Sequence, residues 1–181
     1  MKDTLTHLVH RRSIDNASAL NADILHAFLQ SSDNPDVRRS HFLSGRYENI
    51  YLGKNLIPGM ADLIVQLETY ALSIITETER DQPIPKRLKS GFWFNAMQPG
   101  QLTQPHVHDD DDELLSAVYY IEVPDNSGDL LLMQNSQTLT IEPTAGECVF
   151  FPPNLLHQVS CNNSDDLRLS IGLNFGPVEL E

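Results

Sequence analysis

A mainly β fold, a barrel or jelly roll braced by N-terminal helices, is what the sequence predicts, and three observations predict it. Apolar residues recur at helical spacing in two stretches of the first half of the chain. The second half is a run of short β-prone segments separated by Pro, Gly and Asn, the pattern of a barrel or jelly roll. The last of these segments alternates strictly, with Leu167, Leu169, Ile171, Leu173 and Phe175 on one face and Arg168, Ser170, Gly172 and Asn174 on the other.

The first helix is expected over residues 14–30, where Ile14, Ala17, Leu20, Ile24, Leu25, Phe28 and Leu29 form one stripe and Ser13 is the candidate N-cap. Residues 31–40 combine turn formers and charge and read as an exposed connection, followed by a short strand over 46–52. A second, stronger helical period runs over 58–78 through Met60, Leu63, Ile64, Leu67, Tyr70, Ala71, Ile74 and Ile75, with Pro58 acceptable in its first turn. The prolines of 81–86 end it. Strands are then expected over 91–97, 102–108, 114–123, 129–134, 137–141, 147–151, 157–161 and 167–175.

At 181 residues and 40% hydrophobic content, the chain suits one domain with a single sizeable core. Within it, residues 1–85 form a helical support and 91–176 the β core. A formal charge of -13 would repel phosphate backbones and anionic lipid, so nucleic acid and membrane are excluded as expected partners. No apolar run reaches the roughly 18 residues of a membrane span, and the first residues lack the order of an export signal, so a cytoplasmic protein is expected. Cys148 and Cys161 fit neither a disulfide framework nor a zinc spacing and are read as reduced thiols.

Three histidines carry the chemistry. His106 and His108, at i and i+2 on an extended segment, point to the same face, where a third ligand from a neighbouring strand, His157, can complete a site for one metal ion. An HxH pair beside a charged run is also what a solvated loop looks like. The remaining histidines, His7, His10, His26 and His41, have no ligand-like partners in sequence. The last strand adds a second signal. If the N-terminal helices cover its apolar face, Arg168 looks into the barrel, and an arginine there needs an anionic partner.

Metal site and inward arginine together resemble the Fe(II)/2-oxoglutarate-dependent oxygenases of the prolyl-hydroxylase-like branch. The resemblance rests on Gln104-Pro105-His106-Val107-His108, on residues 115–121 (Leu-Ser-Ala-Val-Tyr-Tyr-Ile), on residues 145–157 ending in His157, and on Arg168-Leu169-Ser170. More narrowly, the chain is similar to a bacterial and phage group of oxygenases that combine HxH with Ser-[Gly/Ala]-Val-Tyr-Tyr. The resemblance covers about residues 91–176 and implies a double-stranded β-helix, cupin-like in outline, with Fe(II) as metal and 2-oxoglutarate as cosubstrate.

It further implies that His106 and His157 are metal ligands and that Arg168 and Ser170 grip the distal carboxylate of 2-oxoglutarate, helped by Tyr120. Asn95 is implied as a contact to cosubstrate or substrate. A planar guanidinium with a hydroxyl two residues on suits a carboxylate. His108 stands where the wider family has aspartate. Either the site uses three histidines, or a carboxylate from the acidic run Asp109 to Glu113 completes it; such runs also serve as solvated loops. The implied activity is a dioxygenase that hydroxylates a small molecule or amino-acid side chain with release of succinate and CO2. The substrate stays open, as does oligomeric state, with a homodimer allowed.

Two other readings compete. Gly100, His106, His108 and Glu113 reproduce much of a first cupin motif, which would make Glu113 a fourth ligand in a dioxygenase or isomerase that needs no 2-oxoglutarate. The second cupin motif fits poorly, because a full strand and a Pro-Pro turn separate Gly146 from His157. The alternative to both is a binding module that kept the fold and lost the chemistry. Trp93, Phe92 and Phe94 are read as core, and Tyr119, opposite in facing to Tyr120, as packed under a helix.

Overall fold

The computed structural model describes residues 5–78, 85–108 and 112–178. Two helices, α1 (Ala17–Ser31) and α2 (Met60–Thr78), lie on one face of a sheet built from strands of both halves of the chain. The strands are β1 (His10–Ser13), β2 (Arg38–Leu43), β3 (Arg46–Tyr51), β4 (Leu88–Met97), β5 (Thr103–His106), β6 (Leu115–Glu122), β7 (Leu130–Gln134), β8 (Gln137–Ile141), β9 (Glu147–Phe151), β10 (Leu156–Val159) and β11 (Arg168–Pro177). A seven-stranded sheet runs in the order β1-β9-β6-β11-β4-β3-β2 and a four-stranded sheet in the order β5-β10-β7-β8. The two form the layers of a jelly roll, an open pair of sheets rather than a closed barrel.

Helix periodicity explains the first layer. From α2, Met60, Leu63, Ile64, Leu67, Ala71, Ile74 and Ile75 are buried, and from α1, Ile24 and Phe28. Their partners are the outward-alternating residues of the large sheet, among them Phe94, Tyr119, Leu169, Ile171, Leu173 and Phe175. The Phe28 and Phe94 rings lie 5.1 Å apart. Each such aliphatic or aromatic side chain contributes about 1.5–3 kcal/mol on burial, so the stripe fixes which face of the sheet is left for the interior.

That other face carries a second apolar cluster between the sheets, with Met97, Tyr120, Leu130, Leu132, Val149, Phe151 and Leu155. Adjacent Tyr119 and Tyr120 thus point in opposite directions, as the two-residue period of a strand requires. A bulge at Ile121 shifts the β6–β11 register between Leu169 and Ser170. Buried Asn21 of α1 holds this bulge, donating to the carbonyls of Tyr120 (3.2 Å) and Ile121 (3.0 Å) while accepting from the Tyr119 hydroxyl (2.6 Å).

Some expectations are corrected. The first helix starts at Ala17, after Asn16 in a left-handed conformation with φ 55°, because Ser13 ends the strand that pairs with β9. Part of the stretch read as a connection is β2, paired with β3. The N-terminal region therefore supplies three strands as well as the helices. Pro83 and Asp109 to Asp111 lie outside the described residues. No described helix is long and apolar enough to cross a membrane.

Candidate metal centre

His157 and His106 are cross-strand partners on β10 and β5, and His108 follows two residues later, where its backbone N–H donates to the Pro153 carbonyl at 2.8 Å. The three rings converge, with centroids 4.2 Å apart for His106 and His157, 5.1 Å for His106 and His108, and 5.2 Å for His108 and His157. One nitrogen from each lies within 4.8 Å of the others. Three imidazole nitrogens gathered this closely can converge on one metal ion, to which their bonds would be about 2.1 Å long.

Two of the rings are oriented in the same way. His106 Nδ1–H donates to the Gln104 carbonyl and His157 Nδ1–H to the Leu155 carbonyl, each at 2.8 Å and each two residues upstream. With Nδ1 occupied, Nε2 is the lone-pair nitrogen turned inward, which is how a backbone acceptor selects the ligating tautomer. Burial, and then the neighbouring His106, lowers the His157 pKa to about 3, so that ring is neutral and able to ligate across the ordinary pH range. Phe151 walls its other side, with ring centroids at 4.9 Å.

The acidic run does not join this cluster through its described members. Asp112 forms an ion pair with Lys89, and Glu113 Oε1 accepts from Asn174 Nδ2 at 2.5 Å. Among the described residues the metal-capable set is three histidines, without the Glu113 that the cupin reading requires.

Deeper in the interior is an arginine with too few acceptors. Arg168 is fully buried at the start of β11, and its Nη1 donates to Ser170 Oγ at 3.2 Å and lies 3.9 Å from the Met97 sulfur. Its Nε and Nη2 have no hydrogen-bond partner, nor has the buried Tyr120 hydroxyl. Burial lowers the guanidinium pKa, an effect that Tyr120 and then Asp129 oppose. Burial pushes the Tyr120 phenol well up, with Arg168 partly offsetting it, so its hydroxyl is a neutral donor. The guanidinium carbon sits 5.4 Å from the Tyr120 ring centre. Unsatisfied buried N–H groups of a cation are costly, and together with Ser170 they describe the complement of a carboxylate.

Asn95 lies opposite Ser170 in the β4–β11 register. Its Oδ1 accepts from Arg46 at 3.1 Å and its Nδ2 donates to Thr103 Oγ1 at 3.0 Å, so its amide is already engaged by protein groups.

A cleft of about 800 Å³ opens beside the histidines, between the β2–β3 hairpin and β4. Trp93 lines it, with its indole 5.4 Å from the His108 ring. A Cβ at Gly172 would fall 2.5 Å from that indole, so glycine is what lets Trp93 lie across β11. Phe94 lies in the helix-side core with half-buried Phe92 packed against it, whereas Trp93 lines the cleft, which corrects its core reading. The signal was available, because Trp93 shares two-residue parity with Asn95. Buried Arg46 and Glu48 were also missed, since nothing in their local sequence marks them as interior.

Residues 92–176 match the model of the 2OG-Fe(II) oxygenase superfamily. No curated protein sequence matches the chain. Among solved structures the chain is similar to a Pseudomonas putida prolyl-4-hydroxylase (17% identity, 96% of this chain and 90% of that one, TM-score 0.65). It is also similar to the 2OG complex of a viral collagen prolyl hydroxylase from Paramecium Bursaria Chlorella virus-1 (14% identity, 94% and 97% coverage, TM-score 0.62). A third is the non-heme alpha ketoglutarate dependent carbocyclase SnoK from nogalamycin biosynthesis (12% identity, 98% and 84% coverage, TM-score 0.69). At these identities the likeness is one of fold, shared by proteins of different named activities.

Proposed function

We propose that the chain, whose β core at residues 92–176 matches the model of the 2OG-Fe(II) oxygenase superfamily, is a member of that family, and that His106, His108 and His157 hold the iron while Arg168, Ser170 and Tyr120 hold 2-oxoglutarate. The protein is a 2-oxoglutarate-dependent dioxygenase, an oxidoreductase. The substrate we assign is a small molecule or an amino-acid side chain, and the reaction a hydroxylation. Bound iron would supply the O2-activating chemistry, with O2 as the oxidant: one oxygen atom would enter the substrate C–H bond as hydroxyl and the other would enter succinate as 2-oxoglutarate loses CO2.

The observation that carries the site assignment is Arg168, whose Nε and Nη2 are buried without acceptors. A dicarboxylate fits this arrangement. One carboxylate would accept from the guanidinium and the Tyr120 and Ser170 hydroxyls, leaving the other end free to reach the histidines. Three neutral imidazoles leave the iron site one unit more positive than a two-histidine, one-carboxylate set, a further reason for it to favour an anionic cosubstrate. Asn95, tied to Arg46 and Thr103, shapes the wall beside Ser170 rather than providing the main grip. The substrate would lie in the cleft over Trp93, which screens the His108 side from water. The unbridged thiols Cys148 and Cys161 suit a reducing, cytoplasmic setting.

Anaerobic addition of Fe(II) and 2-oxoglutarate tests the reading. The expected result is a visible charge-transfer band that is lost in His157→Ala, with succinate released once oxygen is admitted. A folded wild-type protein that takes up no iron would overturn it and favour the binding module.

A further inference from the structure

We propose that Arg46 and Glu48 of β3 are positioning residues that hold the His106 strand in its metal-binding place. The inference rests on the three-histidine reading of the site.

The strand that carries His106 is poorly held by its own sheet. β5 is four residues long, sits at the edge of the four-stranded sheet, and contains Pro105, which has no N–H to donate. Its one neighbour is β10, and the register between them slips between the pairs His157↔His106 and Val159↔Thr103. Such a strand would be expected to be mobile. Its histidine, however, must stay within a fraction of an ångström of a common point to serve as a ligand.

The missing restraint comes from the other sheet. Arg46 and Glu48 are 8% and 5% exposed although both are charged, and they face each other at 3.6 Å. Arg46 Nη2 donates to the Leu102 carbonyl at 2.9 Å and to Thr103 Oγ1 at 3.0 Å, gripping β5 at its start. Arg46 Nη1 donates to Asn95 Oδ1 at 3.1 Å and to the Ala96 carbonyl at 3.2 Å, anchoring the same guanidinium to β4. Glu48 Oε1 accepts the Gln104 backbone N–H at 3.2 Å. Gln104 is the residue whose carbonyl accepts from His106 Nδ1. The pair therefore fixes residues 102, 103 and 104 in succession, and the last of them sets the ring orientation of His106. The two sheets are joined where an error would displace a ligand.

Co(II) titration of the protein without 2-oxoglutarate, read by its visible absorption, tests this in Glu48→Ala, Glu48→Gln and a core control, Ile74→Val. Loss of an outer partner of a metal ligand costs roughly 10–100-fold in metal affinity, and that is the weakening expected for Glu48→Ala, with altered cobalt band intensities. Glu48→Gln keeps an acceptor for the Gln104 N–H and should recover most of the affinity. Ile74→Val, on the buried face of α2, lowers stability without touching β5 and should leave affinity and bands unchanged. Wild-type affinity in Glu48→Ala, or an equal loss in Ile74→Val, would overturn the positioning role. Cobalt binding that survives in His157→Ala would instead overturn the three-histidine reading, and this inference with it.

Discussion

Arg46 and Arg168 are both buried, both on the large sheet, and close enough to interact: burial lowers the pKa of Arg46, Glu48 opposes this, and the charge on Arg168 adds a smaller lowering. Arg46 donates to four protein acceptors and faces a carboxylate. Arg168 has one hydroxyl and a sulfur, and two of its nitrogens have nothing. Folding supplies every partner of the first and withholds the partners of the second. A buried cation whose acceptors are built in is scaffold, whereas one whose acceptors are missing is a place for an anion.

Replacing each arginine by Met gives the largest expected contrast. Arg46→Met leaves Glu48 buried without its cation and should cost about 3–5 kcal/mol, or roughly 10 °C in melting temperature. Arg168→Met removes a cation with no carboxylate beside it, so the metal-free protein should melt at or above the wild-type temperature. Thermal unfolding of the two without ligands checks this, and equal losses would break the comparison.

Acidification sharpens it next, through a group that is costly to charge rather than costly to leave unpaired. The folded-state pKa of His157 is lowered to about 3 from 6.5, so between those values the unfolded chain binds the additional proton. Stability from this residue is constant above pH 6.5 and falls as pH drops below it, by up to about 1.4 kcal/mol per unit. Urea titrations of the metal-free protein at pH 7, 6 and 5 should show that loss, and His157→Phe should lack its share.

A smaller effect is expected at the hydroxyl beside Arg168. Tyr120→Phe removes one neutral donor worth about 0.5–1.5 kcal/mol, so the KM for 2-oxoglutarate should rise by roughly tenfold or less. Stability should hold, because the lost hydroxyl had no partner in the protein.

How much of this was legible in the sequence depended on where the partners lie. The parity of Arg168, Ser170, Gly172 and Asn174 against Leu169, Ile171, Leu173 and Phe175 was plain, because the helices that cover the apolar face carry their own period. His106 and His108 announced themselves by their i, i+2 spacing, and His157 by ending the 145–157 stretch on which the family resemblance rests. β1 and β2 were invisible, since His-Arg-Arg-Ser and Arg-Arg-Ser-His-Phe-Leu do not alternate and are strands because β9 and β3 pair with them. Arg46 looked like an ordinary strand charge, as its acceptors lie some fifty residues away on β4 and β5. Trp93 was misread for want of extending the parity of Asn95 by one step.

The most direct test is calorimetric titration of 2-oxoglutarate into the Co(II)-loaded protein, wild type against Arg168→Met. The account predicts one site in the wild type and roughly 100-fold or greater weakening in the variant, the loss expected of a buried charge-assisted carboxylate contact. Equal affinities would show that the orphaned guanidinium is not where the cosubstrate is held, and would contradict it.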